Sequence, residues 1–231
     1  TGPGQGNSNM QKIRAVGNNY ERAGAAVISY LQTREEIDSE RIGIYGVSMG
    51  SYWSLRLASY DHRAAAIASG VACFNPNNTI FSVSSPRFKQ MFMYMAGMED
   101  ENEFDKMSSE MTVKGYSDKI TCPTLLATGE FDPLCPLEDA IEVFEDLRCR
   151  KEMWVIEDQF HPLWGIPNLG KLDCHHYIMD WLQRVLFSKN PEKGLANGRI
   201  AYVANNGDGP WGDCRWEPPI SSNAVSYTHL T

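Results

Sequence analysis

The chain has 231 residues, of which 42% are hydrophobic and 22% are charged, enough to bury the core of one globular α/β domain. Its formal net charge of -8 argues against nucleic-acid or anionic-membrane partners, because those surfaces select for clustered Lys and Arg. No apolar run approaches the roughly 20 residues of a membrane span, and residues 1–6 do not resemble a signal peptide, so we expect a cytoplasmic protein. The first residue is not Met, so we expect the true start to be missing.

The first predicted elements are a helix over 20–31, a strand over 41–46 and a second helix over 48–58. Apolar residues recur at helical spacing in the first helix. The strand is a short β-branched run that ends in Gly46, directly before the second helix. The predicted order is therefore strand, sharp turn, helix.

Further strands are predicted at 64–71, 123–128 and 152–156, with helices at 137–147 and 171–187. Strands that alternate with helices of this length indicate a mostly parallel sheet with helices on both faces. The fold class that we expect is therefore α/β.

A stretch rich in Met and Phe, and then in acidic residues, interrupts this alternation at 74–119. It predicts a helical insertion, or cap, over the strand ends. One strand-like piece at 198–203 follows the last helix, and the final residues resemble translated sequencing-adapter read-through. The predicted parts are a catalytic core (1–73 and 120–190), the insertion (74–119), a C-terminal extension (191–221) and a non-native tail (222–231).

The string Gly46-Val47-Ser48-Met49-Gly50 has the form of a nucleophile elbow. The string alone is weak evidence, since a tight structural turn would also explain it. The predicted strand before it and helix after it are what an elbow requires, because they hold the serine hydroxyl clear of the sheet. Ser48 is therefore the candidate nucleophile. The Met49 backbone N–H, at the start of the helix, is the candidate oxyanion-hole donor.

A serine nucleophile needs a base and an orienting acid, which in this arrangement follow in the chain order serine, acid, histidine. Asp132 comes after the strand that begins at 123, and His161 after the strand over 152–156. Because the carboxyl ends of successive parallel strands meet at one crevice, we expect Ser48, Asp132 and His161 to form a catalytic triad.

Other residues compete for the acid and base roles. Glu130 and Asp158 are alternative acids in the same two loops. His62 follows the nucleophile's own helix and is expected near the far end of the sheet. His175 and His176 lie within the last predicted helix, where core or surface positions are ordinary for histidine.

The six cysteines are scattered, with no Cys-x-x-Cys pair, and predict reduced thiols without a disulfide framework. The run Cys174-His175-His176 is metal-like, but adjacent helical residues point about 100° apart and cannot easily share one ion. We therefore expect no metal site and no cofactor.

With these residues in hand, the chain resembles the α/β-hydrolases, in the group that includes 2,6-dihydroxypseudooxynicotine hydrolase, fungal pigment chain-shortening hydrolases and related esterases. The likeness covers roughly residues 1–190. The group usually has acidic residues on both sides of the first matching stretch, where Thr1 and Asn7 stand here. The matching stretches are 2–6, 41–53, 129–133 and 157–162.

The resemblance implies that the chain lacks the family's upstream elements: a helical N-terminal region, the first strands, and the loop with the other oxyanion N–H. It implies that residues 2–6 are the loop after the fourth strand. It also implies that the strand over 41–45 has an unpaired edge, where the third strand would lie. A fragment of this kind is expected to be poorly stable or inactive.

The expected function is acyl transfer from a small-molecule carbonyl substrate to water through the triad. The resemblance adds that the substrate is an ester or a β-diketone-like ketone whose C–C bond is cleaved, and the triad does not distinguish these. A serine aminopeptidase or acyl-peptidase, and a non-catalytic binding module on the same fold, are the alternatives. No nucleic-acid or membrane partner is expected, and a homodimer stays open.

Overall fold

The computed structural model describes residues 1–161, 163, 173–187 and 197–204. Its strands are β1 (Gly43–Ser48), β2 (Ala66–Ala72), β3 (Thr124–Gly129), β4 (Lys151–Ile156) and β5 (Arg199–Val203). Its α-helices are α1 (Gly6–Met10), α2 (Asn19–Leu31), α3 (Met49–Tyr60), α4 (Pro86–Ala96), α5 (Glu101–Ser108), α6 (Leu137–Asp146) and α7 (Cys174–Phe187). Short 3-10 helices occupy Ser39–Arg41 and Ser117–Lys119. None of the described helices is long and apolar enough to cross a membrane.

The strands form one parallel sheet in the order β1-β2-β3-β4-β5. Every residue of β2 and of β3 is buried, as expected for central strands that are covered on both faces. Each predicted strand begins and ends within two residues of an observed one. The prediction of a parallel α/β sheet is confirmed.

Two glycines of β1 show that helices cover both faces of the sheet. A Cβ added to Gly43 would lie 3.0 Å from Leu186 Cδ1 of α7, and one added to Gly46 would lie 2.1 Å from the Gly50 carbonyl oxygen of α3. Successive side chains of a strand point to opposite faces, so positions 43 and 46 face opposite ways. Helices α7 and α3 therefore lie on opposite sides of the sheet.

The two edges of the sheet are β1 and β5. Among the described residues β1 pairs with β2 alone, in agreement with the expected unpaired edge. β5 forms from the strand-like piece of the predicted extension and pairs with β4. The rest of that extension, apart from residues 197–204, lies outside the described residues, as does the predicted tail over 222–231.

The segment between β2 and β3 carries α4 and α5. Phe81 joins the two helices to the core, because its ring packs edge-on against Phe92 and Phe104 with centroids 5.0 and 5.1 Å apart. Helix α4 ends at Gly97, whose φ of 70° is the left-handed conformation that closes many helices. The buried residues of α4 are Phe92, Met93, Met95 and Ala96.

Candidate active site

Ser48 lies where β1 ends and α3 begins. Its φ of 53° and ψ of -122° form a conformation that costs a non-glycine residue about 1–3 kcal/mol, so the surrounding structure must enforce it. Gly46 allows α3 to approach, because a Cβ there would lie 2.1 Å from the Gly50 carbonyl oxygen and 2.6 Å from Ser54 Oγ. A Cβ on Gly50 would meet nothing within 4 Å. The close packing of α3 against β1 therefore requires glycine at position 46 but not at position 50.

The Ser51 hydroxyl connects this turn to the end of β2. It donates to the Ser48 carbonyl oxygen over 2.6 Å and accepts the Cys73 N–H over 2.8 Å. It also lies 3.1 Å from the carbonyl oxygen of Val71, whose φ of 57° is rare for a β-branched residue. Ser51 thus holds two strained residues in place. This role of Ser51 was not predicted from the sequence, although Ser side chains in helices often bond back to a nearby carbonyl.

Ser48, Met49 and His161 line one cavity of about 790 Å³. Much of its wall is apolar and comes from α3, α4 and the chain before α4. No Asp, Glu, Lys or Arg is among the described residues of the lining. A concave site of this size and polarity suits a neutral organic molecule. Its apolar and aromatic residues include Trp53, Ile80, Phe88, Met91, Phe92, Tyr94, Met95 and Leu134.

Met49 is the first residue of α3. The N–H groups of a helix's first turn have no partner within the helix, and the helix dipole favours negative charge at that end. An N–H next to Ser48 and beside the cavity is therefore suited to stabilise an oxyanion.

His161 and Asp132 are in direct contact. His161 Nδ1 lies 2.8 Å from Asp132 Oδ2. A carboxylate can only accept, so Nδ1 carries the proton and donates it, which leaves Nε2 free to act as an acceptor. Asp132 is buried, and its Oδ1 accepts the N–H groups of Leu134 and Cys135 over 2.9 and 3.1 Å. These bonds fix the carboxylate that orients the imidazole.

The other candidate acids and bases have different partners. Glu130 Oε2 accepts the N–H of Asp158 over 3.0 Å, and Asp158 is exposed. His62 is exposed in the turn after α3. His175 hydrogen bonds through Nδ1 with the Tyr45 hydroxyl, and burial lowers the pKa of this histidine. None of the five competing residues (Glu130, Asp158, His62, His175, His176) is in the described lining of the cavity.

Cys135 is a buried thiol beside the histidine and the acid. Its Sγ lies 3.8 Å from His161 Nδ1. A hydrogen bond with the Cys73 thiol, followed by burial, raises the pKa of Cys135. Among the described residues, Asp132, Cys135 and His161 are the one group whose Asp, Cys and His ligand atoms lie close enough to share an ion, all within 4.8 Å of one another. Cys135 is one of the six cysteines predicted to be scattered reduced thiols, and no sequence motif links it to the histidine.

A family model described as the prolyl oligopeptidase family matches residues 2–189. Among curated proteins, a 2,6-dihydropseudooxynicotine hydrolase of Paenarthrobacter nicotinovorans is 26% identical over 80% of this chain and 48% of its own length. A hydrolase named LUC6 of a Fusarium species is 25% identical over 83% of this chain and 55% of its own. The chain thus spans about half the length of the curated relatives it matches.

Among solved structures, a 2,6-dihydroxy-pseudo-oxynicotine hydrolase matches with a TM-score of 0.67 at 24% identity. The match covers 85% of this chain and 53% of the other. At this identity the likeness concerns the fold, and it agrees with the parallel sheet and its helices. The fold is that of the α/β-hydrolases.

Proposed function

Because the chain belongs to the prolyl oligopeptidase family, we propose that it is a serine hydrolase acting on a neutral carbonyl substrate, either an ester or a β-diketone-like C–C bond. In this proposal Ser48 is the nucleophile, His161 the general base and Asp132 the acid that orients it. The Met49 N–H is an oxyanion donor.

One observation carries the proposal. A serine in a strained turn between strand and helix lines the same cavity as a histidine whose Nδ1 is bound by a buried carboxylate. A serine in a purely structural turn would need neither the histidine nor the buried carboxylate. These groups come from loops at the carboxyl ends of three strands, which supports the arrangement that nucleophilic catalysis requires.

The steps follow from the chemistry of each group. Ser48 Oγ attacks the carbonyl carbon while His161 Nε2 takes the hydroxyl proton. The oxyanion that forms accepts a hydrogen bond from the Met49 N–H. His161 then gives the proton to the leaving group, and water releases the acyl group by the reverse sequence. Asp132 stays ionised throughout and stabilises the imidazolium.

The substrate class is inferred from the cavity wall. Trp53, Phe92 and Tyr94 offer flat apolar surface, and the described lining contains no side chain that would pair with a fixed charge. An aryl or alkyl group next to the carbonyl fits this wall better than a carboxylate or an ammonium group, whose burial without a partner is costly. We expect uncharged aryl esters and β-diketones to be better substrates than their charged analogues.

A serine aminopeptidase or acyl-peptidase is the second candidate, because the matching family model is described as prolyl oligopeptidase. An aminopeptidase would need an acid near the cavity to bind the amine of a peptide, and the described lining contains none. Aminoacyl and acylaminoacyl anilides therefore belong in the substrate panel as a direct comparison. Preferential cleavage of these anilides would replace the ester and C–C proposal.

A fluorophosphonate probe tests the nucleophile without knowledge of the substrate. We expect the probe to label Ser48, as peptide mass spectrometry would show. We also expect the turnover of Ser48→Ala to be about 10⁴-fold or more below that of the wild type. Ser109→Ala is the matched control, since Ser109 is exposed after α5 and outside the cavity lining. A folded protein that does not label would favour a binding module on this fold. Mass spectrometry of products then identifies the bond that is cleaved.

A further inference from the structure

We propose that a divalent ion such as Zn²⁺ binds to Asp132, Cys135 and His161. We further propose that the bound ion prevents His161 from acting as the general base. The binding itself is independent of the proposed function, whereas the inhibition rests on it. The ion is an inhibitor in this proposal, not a cofactor of the reaction.

The ligand atoms are close to the spacing that zinc needs. Zinc binds sulfur at about 2.3 Å and nitrogen or oxygen at about 2.0–2.2 Å, so two ligands of a tetrahedral ion lie roughly 3.3–3.8 Å apart. Cys135 Sγ is already 3.8 Å from His161 Nδ1. Asp132 Oδ2 lies 2.8 Å from the same nitrogen and must move away by about half an ångström.

Charge and surroundings favour an ion at this place. A Cys135 thiolate and the Asp132 carboxylate together balance a divalent ion, so the buried site would be neutral. The second oxygen of Asp132 is held by the N–H groups of Leu134 and Cys135, which fixes the carboxylate as outer-shell bonds do in metal sites. An ion would enter past the His161 side chain, which lines the cavity and is 18% exposed, because Asp132 and Cys135 are buried behind it.

Binding would change the tautomer of the histidine. Nδ1 must lose its proton to become a ligand, and the neutral ring then carries a proton on Nε2 instead. The Cys135 thiol releases its proton to solvent as it binds. An Nε2 that already carries a proton cannot accept one from Ser48, so the general base is lost while Ser48 itself is untouched.

Cobalt(II) provides a test that needs no activity. Thiolate coordination gives Co²⁺ an intense near-ultraviolet charge-transfer band, which we expect in the wild-type protein and which added Zn²⁺ should abolish. The band should be absent from Cys135→Ser and Cys135→Ala, each checked for folding by circular dichroism. Cys149→Ser is the matched control, because this half-buried thiol lies 3.4 Å from Thr124 Oγ1, at the opposite end of β3 from Asp132.

Fluorophosphonate labelling of Ser48 tests the inhibition. Zn²⁺ should slow labelling in the wild type and in Cys149→Ser. In Cys135→Ser the Zn²⁺ concentration that slows labelling to the same extent should be higher by about tenfold or more. The labelling rate of each variant with Zn²⁺ is compared with the rate of the same variant without metal. A Cys135 variant that keeps the cobalt band and the Zn²⁺ response would overturn the proposal, as would a wild-type protein without the band. Failure to label without any metal would count against the proposed hydrolase instead, and the cobalt result would still decide the metal site.

Discussion

Replacement of Gly46 by Ala tests how tightly the elbow around Ser48 is built. The added methyl carbon would lie 2.1 Å from the Gly50 carbonyl oxygen and 2.6 Å from Ser54 Oγ. The oxygen belongs to the backbone of α3, so the helix would have to move by about 0.9 Å to reach even a 3.0 Å contact. Overpacking typically costs 1–3 kcal/mol, and we expect about 3 kcal/mol here because backbone must shift. This lowers the folded-to-unfolded ratio about 100-fold.

Urea denaturation, followed by circular dichroism, measures this loss. Gly50→Ala is the matched control, since a Cβ there meets nothing within 4 Å and alanine gains about 0.5–1 kcal/mol over glycine in a helix. We expect Gly46→Ala to unfold at a clearly lower urea concentration and to label more slowly with a fluorophosphonate. Equal unfolding midpoints for the two variants would refute the tight approach of α3 to β1.

Two further predictions concern the site and the pH response. Asp132→Asn should lower turnover about 10⁴-fold. Its one acceptor oxygen stays with the N–H groups of Leu134 and Cys135, so an NH₂ donor replaces the oxygen that accepts from His161 Nδ1. Glu130→Gln should change turnover little, and similar losses in both variants, measured by steady-state kinetics, would contradict the assignment. Burial lowers the pKa of His175, so the unfolded chain binds more protons and the free energy of unfolding falls as pH decreases through about 6.5. His175→Gln, which retains a hydrogen-bonding group beside Tyr45, should reduce this fall between about pH 7.5 and 5.5 in urea titrations, and an unchanged slope would be contrary evidence.

The strands and most helices could be predicted because each leaves a local pattern. A buried parallel strand reads as a short β-branched or small apolar run, and β3 and β4 were found within one residue of such runs. Helix α1 could not be found in this way. Its five residues, Gly-Asn-Ser-Asn-Met, have no apolar periodicity and low helix propensity, so contacts with the rest of the chain must hold them.

The candidate site was predictable in its order along the chain but not in its contacts. Sequence left Glu130, Asp132 and Asp158 open as the partner of the histidine, since all three lie in loops that follow strands. In the structure Asp132 meets His161, while Glu130 meets the backbone of Asp158. Side-chain direction within a loop depends on turns that a one-dimensional pattern does not record.

Residue patterns along the chain were enough to predict a parallel α/β sheet, a serine in a strand-to-helix turn, and an acid and a histidine after later strands. These are local features, and local propensity and spacing encode them. Three facts became known from the packed chain alone: contact requires glycine at position 46 and not at position 50, Ser51 joins the turn to β2, and Cys135 lies against His161. Those facts depend on the distances between elements that are far apart in sequence, which packing alone sets.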